Sequence, residues 1–214
     1  MLAKEAVENY IEKEEIIPSP QNLPEEILKK KAGVFVTVEK EGELRGCIGT
    51  YLPTRINIAE ETIHNAVAAA SEDYRFGQIK KEELPLLSYT VSILSYPEEV
   101  NGLKELDPKK FGIIVKTSPF VYPSGSEEEK REQALFDHPS QENVVGEEDK
   151  SSSLPFAAAW VFDGHAPFKS GLLLPDLPGV DSAEKQFLIA CDKGQIDPAR
   201  EKVFIYRFTV EKHE

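Results

Sequence analysis

The chain has 214 residues, enough for one mid-sized domain with an addition and too few for two large independent domains. Its 25 Lys and Arg against 38 Asp and Glu give a formal charge of −13, which repels phosphate backbones and anionic membrane surfaces and excludes nonspecific nucleic-acid binding. Hydrophobic residues at 40% and charged residues at 29% are ordinary globular usage. The longest apolar stretch, Leu154 to Phe162, falls well short of the roughly 20 residues a membrane span needs.

The first residues, MLAKEAVENYIEKEE, lack the apolar run of a secretory signal, and the only cysteines, Cys47 and Cys191, sit in unrelated contexts. A cytoplasmic protein without disulfides is expected. His64, His138, His165 and His213 are scattered without metal-ligand spacing, so no metal and no cofactor is expected.

In chain order, Leu2, Ala6, Val7, Tyr10 and Ile11 predict an amphipathic helix over 1–14 that Pro18 and Pro20 end, and a short helix follows from Pro24 to Lys31. Val34–Val38 and Leu44–Tyr51 read as the strands of a hairpin around Lys40-Glu41-Gly42. Ala59, Ile63, Ala66, Val67 and Ala70 form the apolar stripe of a helix from Asn57 to about Glu72. Residues 88–95 and Phe111–Thr117 are strand-like, as is Gly171–Leu174. Asp181 with Glu184 has capping-box spacing ahead of a helix through Phe187, Leu188 and Cys191, and Val203–Val210 predicts a last strand. The pattern is α+β with mixed or antiparallel sheet and flanking helices.

Residues 119–169 interrupt it. They carry five prolines and ten acidic against four basic side chains, and deleting them would join two strands as a hairpin. The expected organisation is one domain from 1–118 and 170–214 with 119–169 inserted at a hairpin tip. Within the insert, Leu154–Phe162 reads either as an apolar lid or docking peptide on acidic arms, or as an ordinary loop.

The chemistry-bearing string is Leu44-Arg45-Gly46-Cys47-Ile48-Gly49-Thr50. On a regular strand the period of two puts Arg45, Cys47 and Gly49 on one face, where a guanidinium favours a thiolate and the glycines leave room for a substrate. Cys47 is then a nucleophile or anchoring thiol, or else a small buried cysteine in a tightly packed strand. His64 with Glu60 one turn before it could supply a base, or lie on the polar side of its helix. Arg75 in Glu72-Asp73-Tyr74-Arg75-Phe76 could hold a substrate carboxylate or pair with its acidic neighbours.

Leu44-Arg-Gly-Cys-Ile-Gly-Thr, Asp73-x-Arg75-Phe76, Val91-Ser-Ile-Leu and Gly171-Leu-Leu-Leu-Pro-Asp-Leu together resemble, in the same order, the AMMECR domain family. The resemblance implies a larger and a smaller subdomain around a cleft faced by the Cys47 motif. It implies no settled reaction, and points to Memo-like and radical SAM proteins as partners in a modification pathway. On it, Cys47 and Arg45 are the expected catalytic positions and Gly46, Gly49, Asp73 and Arg75 the substrate-binding ones. The alternative is a noncatalytic protein-binding module in which the motif is structural. The chain departs from the family at Lys169-Ser170, where relatives have arginine, and at Tyr74.

Overall fold

A computed structural model describes residues 1–118 and 169–214; the readings placed on 119–168, the lid or docking peptide included, lie outside the described residues. The chain divides into two compact units, 1–96 with 210–214, and 97–209. All strand pairings among the described residues are antiparallel, so the α+β reading holds with an antiparallel rather than a mixed sheet.

The first unit is built on α1 (Leu2–Lys13), α2 (Glu25–Lys29), β1 (Val34–Lys40), β2 (Glu43–Gly49), α3 (Ile58–Ser71) and β3 (Leu87–Leu94). Its four-stranded sheet has the order β2-β1-β3-β8, with β8 (Val210–His213) returning to it from the C-terminus. The hairpin turns on Glu41 and Gly42, both at positive φ, with Lys40 opposite Glu43; that is the two-residue turn whose twist matches the strands. Asn57 caps α3 by accepting from the Glu60 N–H.

Alternation along β1 divides its side chains between two faces. Val34, Val36 and Val38 join Ala3, Ala6 and Val7 of α1 and Ile63, Ala66, Val67 and Ala70 of α3 in one fully apolar core. Phe35 and Thr37 point the other way, opposite Gly49 and Cys47 of β2.

The second unit holds β4 (Glu98–Val100), β5 (Gly112–Lys116), β6 (Ser170–Leu173), α4 (Ala183–Lys193) and β7 (Phe204–Phe208), with sheet order β4-β7-β5-β6. β5 and β6 pair from Ile113–Leu173 to Lys116–Ser170, and the Thr117 N–H donates to the Lys169 carbonyl at 3.0 Å. Gln186, fully buried on α4, donates its amide to the Phe111 carbonyl at 2.8 Å.

Two local expectations change. The cap of α4 is Ser182, whose hydroxyl accepts from the Lys185 N–H, so the helix starts one residue later than Asp181 would place it. The single last strand breaks at Thr209 into β7 and β8, which serve different sheets, because its apolar half pairs with β5 and its polar half with β3.

Candidate functional site

The Cys47 motif occupies β2, one of the two edge strands of its sheet. Val38 pairs with Gly46 and Glu39 with Leu44, so Arg45 has no partner: it is the extra residue of a β-bulge. The bulge breaks the period of two on which Arg45 and Cys47 were expected to act together, and it re-aims the guanidinium.

Arg45 reaches along the chain to Glu83, donating from Nε to Oε1 and from Nη2 to Oε2, both at 3.0 Å. Its remaining donors meet the Gly77 and Gln78 carbonyls at 3.0 and 3.2 Å. Glu83 also accepts from Lys40 Nζ at 3.1 Å and the Lys80 N–H at 2.9 Å. With Arg45 as the main cause, its carboxyl is held down at about 2. Arg45 thus fastens 77–83 to the edge strand.

Cys47 is fully buried, which corrects the expectation of an accessible thiol. Its Sγ lies 3.4 Å from the Thr37 hydroxyl, the residue opposite it on β1. What the fold handles at this residue is its backbone. The Cys47 N–H donates to Asp73 Oδ2 at 2.9 Å, and the Cys47 carbonyl accepts from Arg75 Nη2 at 3.4 Å. Asp73 and Arg75 are bidentate to each other, Nε to Oδ1 at 2.8 Å and Nη2 to Oδ2 at 2.6 Å. Burial works against the charge on Arg75, yet the bonds to Asp73 outweigh it and raise its pKa above the ordinary arginine value. The Asp-x-Arg motif thus replaces a missing neighbour strand, satisfying edge groups that would otherwise be open. Tyr74 between them is 52% exposed.

The two glycines are filled by the protein itself. A Cβ on Gly46 would sit 2.1 Å from the Ala69 carbonyl oxygen of α3, and one on Gly49 would sit 2.3 Å from the Phe35 ring. They admit a helix and an aromatic ring rather than leaving room for a substrate. The same device recurs in the second unit, where a Cβ on Gly171 would lie 1.8 Å from the Ala190 carbonyl oxygen.

His64 lies elsewhere, facing a cleft lined by Ile17, Pro18, Ser19, Glu60 and Ile63 that contains no residue of the Cys47 motif. Burial, and then the charge of Arg55, lower its pKa. Cys191 is buried on α4, and burial pushes its thiol up to about 11. Sequence reasoning missed Glu83 and Glu61. Glu61, in the first turn of α3 and 1% exposed, accepts from the Thr50 hydroxyl at 2.7 Å, the Thr54 N–H at 2.7 Å, the Thr54 hydroxyl at 3.0 Å and the Arg55 N–H at 2.8 Å. It ties the loop leaving the motif to the helix that covers it. The apolar residues around it, Ile58, Ala59 and Ile63, were the available signal, since they bury both sides of the carboxylate's turn. No group of three His, Cys, Asp or Glu among the described residues is placed to hold a metal ion.

These features define a class: an α+β chain of two antiparallel-sheet units in which a glycine-flanked cysteine on a bulged edge strand is fastened by a following Asp-x-Arg. The AMMECR1 family model matches residues 1–139, and the chain belongs to that family. A Thermotoga maritima protein is 38% identical over 209 residues, 97% of this chain and 92% of its own length. A Clostridium acetobutylicum protein is 34% identical over 214 residues, but this chain spans only 35% of it. A solved structure, the uncharacterized protein PH0010 from Pyrococcus horikoshii, superposes with a TM-score of 0.69 at 26% identity, covering 99% of this chain and 86% of that one.

Proposed function

We propose that this AMMECR1-family chain is a noncatalytic partner-binding module whose Cys47 motif is structural. The observation that carries the reading is the engagement of every group the motif offers: a fully buried Cys47, an Arg45 fastened to Glu83, and an Asp73–Arg75 pair closed on the Cys47 backbone. A nucleophile needs an exposed sulfur with a base in reach, and the burial of Cys47 does not favour one. What the scaffold presents instead is Tyr74, half exposed and mounted between two anchored residues, the kind of rigid aromatic that dominates protein contacts. Memo-like and radical SAM proteins, the partners suggested by the family resemblance, are candidates for that surface. Cys47 and Cys191, both buried and not joined in a disulfide, suit a reducing cytoplasm.

The rival reading places Cys47 at the centre of a reaction or an anchoring step on a small molecule or peptide, with Arg45 and Arg75 holding it. Native-state alkylation separates the two. Iodoacetamide is applied over a pH series, and peptide mass spectrometry reads each cysteine. The structural reading expects Cys47 to modify only in step with unfolding in urea. Stoichiometric alkylation of Cys47 in the folded protein near neutral pH would overturn it.

A further inference from the structure

We draw no further inference here: the strongest candidate, the face of the first unit's sheet that turns away from α1 and α3 and sets Thr37 between Cys47 and Thr90, runs into the Cys47 site already described, and nothing among the described residues shows what covers it.

Discussion

Replacing Glu83 by Gln keeps the size of the side chain while removing the charge on which Arg45, Lys40 and the Lys80 N–H converge. The Glu83 carboxyl falls from an ordinary 4.5 to about 2 in the folded chain. At about 1.4 kcal/mol per pKa unit, the linkage is worth at most about 3 kcal/mol at neutral pH. Glu83 is 15% exposed and Lys40 is 35% exposed, so solvent screening brings the expected loss to about 1–2 kcal/mol. For a chain of this length that is a Tm lower by roughly 3–6 °C. The sign follows from the depressed pKa: the stabilisation is complete above the unfolded value near 4.5 and is lost as pH falls through about 2. Differential scanning calorimetry or urea unfolding of both proteins from pH 7 to pH 3 checks this. The gap should hold from pH 7 to about 4.5 and narrow below it. A gap that is absent at pH 7, or unchanged at pH 3, would refute the reasoning.

Further predictions concern the same scaffold. Gly46→Ala puts a methyl against backbone that cannot yield cheaply, since the Ala69 carbonyl is held in α3, and should cost about 3 kcal/mol or more in chemical denaturation; a loss below 1 kcal/mol would contradict the close approach. Glu61→Ala strips four donors of their acceptor and should cost about 3 kcal/mol, with hydrogen exchange accelerating first at the Thr54 and Arg55 amides. We propose that residues 119–169 are dispensable for folding. The pairing of Lys116 with Ser170 already joins the ends, so an Asn-Gly turn in their place should leave one cooperative unfolding transition, and loss of cooperativity would show that the segment belongs to the domain.

Much of the fold was legible because it is written in local patterns. The α3 stripe, the Glu41-Gly42 turn and the alternation of β1 each depend on a few consecutive residues. The site was less so, for a physical reason. Reading Arg45 and Cys47 as neighbours assumed an unbroken strand, and a bulge is a one-residue shift that depends on what the partner strand and the passing chain require. Glu83, the residue that engages Arg45, lies 38 positions away, where no spacing rule reaches. The pairing of Asp73 with Arg75 was open to view two residues apart, but its purpose, closing the edge of β2 at Cys47, exists only after the chain has folded back. The glycines illustrate the same limit. Their small size was visible, but what fills the space, Ala69 and Phe35, was not.

The central claim is that the motif positions the backbone of Cys47 rather than its sulfur, and amide hydrogen exchange at Cys47 tests it most directly. With its N–H held at 2.9 Å by a buried Asp73 carboxylate, Cys47 should exchange as slowly as the amides of the β1 core, although it lies on an edge strand. In Asp73→Asn, compared under conditions where the fold is intact, that exchange should accelerate by about a hundredfold while the β1 amides hold. Exchange at Cys47 as fast as at exposed edge amides in the unaltered chain, or indifferent to Asp73→Asn, would contradict the account.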